Sequence, residues 1–249
     1  MSHWYTETGK AAHFLGKGGK GTTLREARKS LREGNPLYPS VTTILNYPDK
    51  FQLNRWRMRK IVELLWLSGE PLETLSMKQA VDYGLKLYAD YMDSVKDPGL
   101  EVHLAIEQCF LADGDIGAVK DLKWVPSVQG VLDLLNEKCP DQKWIPEETI
   151  VHQGYGYAGR TDLRSPEWVV DIKSKEFDEG QRPFIPEENG QQLAAYDEGE
   201  GRRLANIFVA RNKPGLVYWK EFDAQRNYWP KFLANLNAWK VNKDYDPIT

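Results

Sequence analysis

Two aspartates and a lysine in the stretch GYAGRTDLRSPEWVVDIKSK, Gly156 to Lys175, have types and spacing suited to chemistry. Asp162 and Asp171 are nine positions apart, and Lys173 lies two beyond the second. If YAGRTDLR and EWVVDIKS are adjacent antiparallel strands joined by a turn around Ser165 and Pro166, the two aspartates meet across the pair. Asp171 and Lys173, two apart on one strand, project from the same face. Neighbouring carboxylates repel unless a cation or a proton sits between them, and hard oxygen donors favour Mg²⁺ or Mn²⁺. Such an ion polarises a phosphodiester and helps generate hydroxide, while Lys173 positions the water or stabilises charge in the transition state. D-x-K alone is better read as a surface Asp/Lys ladder, so other segments must decide.

His103, in GLEVHLAIE, falls on a helical pattern with Glu107 one turn later on the same face, and an imidazole completes a Mn²⁺ shell. Gln192 and Tyr196 are four apart in NGQQLAAYDEG and share a helix side, an amide and a phenol suited to holding a phosphate or a metal ligand. In FQLNRWRMRK, Arg55, Arg57, Arg59 and Lys60 surround Trp56. That mixture suits a phosphate backbone with stacked bases, or equally a solvated basic face with Trp56 packed inward. GKGGKGTT (Gly16 to Thr23) lacks the lysine directly after the last glycine that a phosphate-binding loop needs. Residues 1–38, rich in Gly, Lys and Arg, read as a flexible basic arm.

The elements that must position these groups change character near Pro146. Before it the pattern is helical: a short helix entered at Pro39 and Ser40, a longer one from about Phe51, then MKQAVDYGLKLYADYMDSV, GLEVHLAIEQCFLA and PSVQGVLDLLNEK. After it come three β-rich runs, one helix, two more β-rich runs and a last helix from about Asp223 to Asn242. The predicted architecture is α+β, a central mixed sheet flanked by helices, with a helical region over 39–142 integrated with a core over 143–249. At 249 residues, 41% apolar, the chain has material for a sizeable core. No apolar run approaches the roughly 18 residues of a membrane span, and no secretory or transit signal is visible, so the expected location is cytoplasmic. A net charge of −3 gives no global sign of nucleic-acid binding and directs attention to local patches. Two cysteines, Cys109 and Cys139, are too few for a four-thiolate site.

Taken in order, G-L-E-V-H (Gly99 to His103), G-R-T-D ending at Asp162, D-I-K (Asp171 to Lys173) and Q-L-A-A-Y (Gln192 to Tyr196) resemble the PD-(D/E)xK nuclease superfamily, and within it the RecB-like exonuclease group. PSVTTIL, Pro39 to Leu45, is similar to a segment of phage exonucleases and of the mitochondrial genome maintenance exonuclease. The resemblance implies a restriction-endonuclease-like core whose helical half forms a wall over the DNA path. It implies that His103, Asp162, Asp171 and the Ile172 carbonyl bind Mg²⁺ or Mn²⁺ and that Asp162, Asp171 and Lys173 are catalytic. Gln192, Tyr196 and Arg160, with Trp56, Arg55 and Arg59, are then expected to support the site and contact DNA, and Glu107 and Glu148 to add carboxylates behind it or at a second metal. Iron–sulfur members of the group carry four cysteines, so no such cluster is expected here.

The function expected is that of a metal-dependent DNA exonuclease acting on linear single- or double-stranded ends in phage-type degradation, recombination or repair, with a single-strand annealing or binding protein as a possible partner and no membrane association. Two other readings stay open: a DNA-binding module on an inactive nuclease scaffold, and a structure-specific endonuclease of the same superfamily.

Overall fold

The structure, a computed structural model, describes residues 3–48, 51–223 and 226–248, with the backbone alone at 51–53 and 95–98. The chain divides into two units, Met1–Pro48 with Val102–Thr249, and Asp49–Glu101.

The first unit opens with β1 (Trp4–Thr6), α1 (Leu24–Arg32), β2 (Leu37–Pro39) and α2 (Val41–Leu45). Residues 3–38 are therefore structured, and the expected flexible arm is corrected. Trp4, Ala27 and Leu37 are buried in the main core, and the Trp4 indole N–H donates to the Thr22 carbonyl. The glycine–lysine run between them is a tight hairpin closed by Gly16 N–H on the Lys20 carbonyl. Thr23 and Glu26 cap α1 reciprocally, and Ser40 caps α2 by accepting from the Thr43 N–H.

Asp49–Glu101 holds α3 (Phe51–Leu67) and the greater part of α4 (Met77–Leu111). The sequence pattern suggested two helices across Pro98 and Gly99; the backbone is one helix of 35 residues. The expected boundary at 142 is also corrected, because the helical unit ends at Glu101 and His103 belongs with the sheet. Within this unit Gly84 approaches Ile61 and Leu65, and it is the one buried residue among those whose side chains are described.

The remainder comprises α5 (Val125–Lys138), β3 (Ile145–Pro146), β4 (Thr149–His152), β5 (Tyr157–Arg160), β6 (Leu163–Arg164), β7 (Trp168–Lys175), α6 (Glu188–Asp197), β8 (Arg203–Ala210), β9 (Val217–Phe222) and α7 (Tyr228–Lys243). Five strands make a mixed sheet in the order β3-β6-β7-β8-β9, in which β7 and β8 are parallel and the other pairs antiparallel; β4 and β5 pair separately. The fold is α+β. Alternation along the two central strands sorts side chains into two cores. Trp168, Val170, Ile172, Ala205, Ile207 and Val209 pack with Val102, Ile106, Val128 and Val131 of α4 and α5. On the opposite face Val169 and Leu204 join α2, α6 and α7 through Ile44, Leu193 and Phe232. No helix among the described residues is long and apolar enough to cross a membrane.

Candidate active site

The run YAGRTDLR is two strands in two sheets, and the break between them is what presents Asp162. Thr149 pairs with Arg160 in the β4–β5 ribbon, and Pro146 pairs with Leu163 in the large sheet. Glu147–Glu148 and Thr161–Asp162 lie between these registers, tied by Glu147 N–H on the Asp162 carbonyl and Thr161 N–H on the Glu148 carbonyl. Glu147 takes the left-handed conformation with φ 54°, uncommon for a residue with a side chain. At this corner β6 begins, with Leu163 opposite Val170 and the turn closed by Ser165 N–H on the Trp168 carbonyl. The Asp162 carboxylate substitutes for the missing strand, its Oδ2 accepting from the Ile172 N–H at 2.6 Å. In an extended strand the carbonyl of a residue points to the same edge as its N–H, so the Ile172 carbonyl faces that edge too.

Asp171 and Lys173 project from β7 toward α6. Lys173 Nζ is 2.8 Å from Asp171 Oδ2 and donates to Gln192 Oε1 at 3.0 Å. Gln192 Nε2 donates to Asp171 Oδ1 and to the Tyr196 hydroxyl, both at 3.0 Å. Asn206 Nδ2 donates to Asp171 Oδ2 at 2.9 Å, and Asn206 Oδ1 accepts from Asn189 at 2.8 Å. Asp171 is only 3% exposed. Burial pushes its carboxyl up to about 6, with the Asp162 charge pushing the same way and Lys173 and His103 opposing it. His103 Nδ1 lies 3.7 Å from Asp162 Oδ2.

Two glycines fix this arrangement at close range. A Cβ on Gly159, in the G-R-T-D motif, would lie 2.5 Å from the Tyr196 ring, and one on Gly190 equally close to the Tyr228 ring. Tyr196 is therefore seated on the bare backbone of β5, and it orients Gln192. α2 backs the same region: Val41, Ile44 and Leu45 are buried in the core that holds Ala194, Ala195 and Tyr196.

The structure thus brings together His103, Asp162, Asp171, Ile172, Lys173, Gln192 and Tyr196. Glu148 is corrected: its carboxylate pairs with Arg164 at 3.3 Å, among Glu198 and Glu200. The left-handed Glu147 turns its neighbour away and itself takes the position near Asp162. Burial raises its carboxyl to about 7; Arg160, in contact at 2.5 Å, lowers it, while the Asp162 and Glu107 charges raise it further. Trp56, Arg55 and Arg59 lie in the helical unit. There Trp56 is 42% exposed with its edge on Tyr88, Arg57 lies over the same ring, and Arg55 and Arg59 are exposed. Asn206, Asn189 and Glu147 were missed by sequence reasoning. A signal existed for Asn206, a lone amide in the otherwise apolar run LANIFVA.

No three His, Cys, Asp or Glu side chains among the described residues form a group that could hold a metal ion in this arrangement, in which Asp171 is saturated by Lys173, Gln192 and Asn206. By donor chemistry the set does fit a hard divalent cation: two carboxylates, one of them raised by burial, an imidazole and a strand-edge carbonyl.

No protein-family model matches the chain, and no curated protein matches it. Among solved structures, one titled "Crystal structure of SSO0001" is 14% identical, with 58% of this chain and 77% of that chain covered and a TM-score of 0.30.

Proposed function

We propose that this protein is a Mg²⁺- or Mn²⁺-dependent deoxyribonuclease that cleaves phosphodiester bonds from DNA ends. The observation that carries the reading is the placement of Asp162, from the corner between two sheets, beside a β7 face on which Asp171 and Lys173 are bridged by Gln192. An ammonium held by a carboxylate and an amide is fixed in orientation and charged, which is what stabilising an anionic phosphoryl group demands. A surface Asp/Lys ladder would have neither the burial of Asp171 nor the network of three amides and a phenol behind it.

Asp162, Asp171, His103 and the Ile172 carbonyl are the residues that would hold the ion. Bound there, it would supply a water of lowered pKa and neutralise phosphate charge. Lys173 would donate to a non-bridging phosphate oxygen as the water oxygen, its proton lost to solvent, bonds to phosphorus and the bond to the leaving oxygen breaks, that oxygen taking a proton from solvent. Gln192 and Tyr196 keep Lys173 and Asp171 in register. The exposed Arg55, Arg57, Arg59 and Trp56 of the helical unit suit contacts with backbone and bases.

The test is digestion of end-labelled linear DNA, single- and double-stranded, beside covalently closed circular DNA, with Mg²⁺, Mn²⁺ or EDTA. Metal-dependent release of short products from linear DNA only is the expected result. Nicking or linearisation of the closed circle would assign an endonuclease, and tight binding without cleavage of any substrate would assign a binding module.

A further inference from the structure

We propose that the cleft between α1 and the C-terminal turn of α7 is a second phosphate-binding site, one that holds the sugar–phosphate backbone of a nucleic-acid strand by charge alone; it rests on the nucleic-acid reading above. The cleft encloses about 860 Å³ and is lined by Arg25, Arg28, Arg32 and Lys240, with Asp244 and Asp246 at its edge. It shares no residue with the network around Asp171.

Positions 25, 28 and 32 are three and seven apart, which puts the three guanidinium groups on one side of α1. The helix is anchored by Ala27, fully buried, and by Leu24 and Leu31, which pack on the core, Leu31 also lining the cleft. Arg28 is immobilised by donating to the carbonyls of Lys243 and Asp244 at the end of α7, and Lys240 pairs with Asp246 at 2.9 Å. Asp244 is 98% exposed and only approaches Arg28, at 3.9 Å. The Arg25 and Arg32 side chains are exposed and make no side-chain hydrogen bond or close ion pair among the described residues, Glu26 acting on Arg25 at longer range only. Four cations against two carboxylates leave a local excess of two positive charges in a chain whose net charge is −3. An excess of exposed cations facing one cleft attracts a polyanion, the more so at low salt.

The spacing selects the anion. Seven residues of helix separate Arg25 from Arg32, about 10 Å, a row of guanidinium groups long enough to meet more than one phosphate of a strand. Tyr245, the aromatic residue in the lining, is buried and spends its hydroxyl on the Leu37 carbonyl, so no ring is offered for base stacking. Recognition here is of backbone, independent of sequence.

The experiment measures anisotropy of a labelled single-stranded oligonucleotide with the full chain and with Arg25→Gln/Arg32→Gln, in EDTA, across a salt series. Both substitutions are at exposed positions and leave the Arg28 anchor intact. The double variant is expected to bind more weakly at low salt, and its plot of log K against log salt to be shallower by about 1.4, two contacts at about 0.7 each. Equal affinity and slope, or no binding by the wild type, would overturn the proposal. A mononucleotide and inorganic phosphate form a second arm: stabilisation of the wild type alone by either, with oligonucleotide binding unchanged in the variant, would make the cleft a small-anion site and also overturn it. Cleavage with Mg²⁺ is followed in parallel. Active wild type with unchanged slopes removes the cleft and leaves the nuclease; inactive wild type with the slope difference intact removes the nuclease and leaves the cleft.

Discussion

The two faces of the central sheet are built from the same two strands, and only one of them buries polar groups. Toward α4 and α5, β7 and β8 present Trp168, Val170, Ile172, Ala205, Ile207 and Val209, an apolar set with no polar side chain among them. Toward α6, the intervening positions of the same strands present Asp171, Lys173 and Asn206, satisfied by Gln192, Asn189 and Tyr196. Asp171 and Ile172 are equally buried, at 3% and 2% exposed. Burial therefore does not tell core from chemistry in this molecule: the α4–α5 face is wholly apolar, while on the α6 face Val169 and Leu204 are core and Asp171 and Asn206 are not. The apolar face supplies stability and the polar face spends some of it, because a buried carboxylate costs free energy that its hydrogen bonds and its lysine only partly return.

Breaking the polar face should abolish function and leave the fold. Asp162→Asn keeps an oxygen for the Ile172 N–H while removing the charge, and a fall in cleavage of about a thousandfold is expected; single-turnover rates beside a thermal melt check it. The mirror experiment is Ile207→Ala, on the apolar side. It should cost about 2–5 kcal/mol by chemical denaturation and leave the cleavage rate per folded molecule unchanged.

Gly159→Ala tests whether packing behind the polar face positions it. The added methyl meets the buried Tyr196 ring, so about 1–3 kcal/mol of stability should be lost. Through Tyr196 and Gln192, cleavage should fall about tenfold, while Tyr196→Phe, which keeps the ring, should restore neither. A Gly159→Ala protein of full stability and activity would show that the contact does not position the site.

The smallest effect concerns pH. Glu147 in the folded chain titrates near 7, above the ordinary 4.5. The native state thus binds the extra proton between those values, so its contribution to stability is full below about pH 4.5 and is lost as pH rises through 7. With screening discounted, wild type should lose about 1 kcal/mol relative to Glu147→Gln between pH 5 and pH 8 in EDTA. Parallel stability curves for the two would contradict the assigned shift.

Much of the site was legible because its chemistry is written in short spacings. D-x-K two apart on a strand and Q-x-x-x-Y four apart on a helix each fix a shared face before any tertiary contact is known. The choice between Glu147 and Glu148 was not legible, since it turns on one left-handed residue at a sheet corner that no periodicity records. Asn206 stands beside Asp171 only through the parallel β7–β8 register, and Asn189 of α6 donates to it across a tertiary contact that no local spacing records. In the fold, the β-rich half was readable from alternation. Residues 3–38 misled because glycines and lysines at the hairpin tip outnumber the few residues, Trp4, Ala27 and Leu37, that anchor them. Pro98 misled similarly, as a helix interior carried it.

The most direct test of the account is the single-turnover rate of cleavage of end-labelled linear DNA with Mn²⁺, measured for the wild type and for Lys173→Ala at matched folded concentration. Wild-type cleavage that EDTA stops, with Lys173→Ala slower by at least about a hundredfold and melting within a few degrees of the wild type, is the predicted result. Equal cleavage by the two proteins would contradict it, because the α6-facing side of β7 would then not be where the chemistry is done.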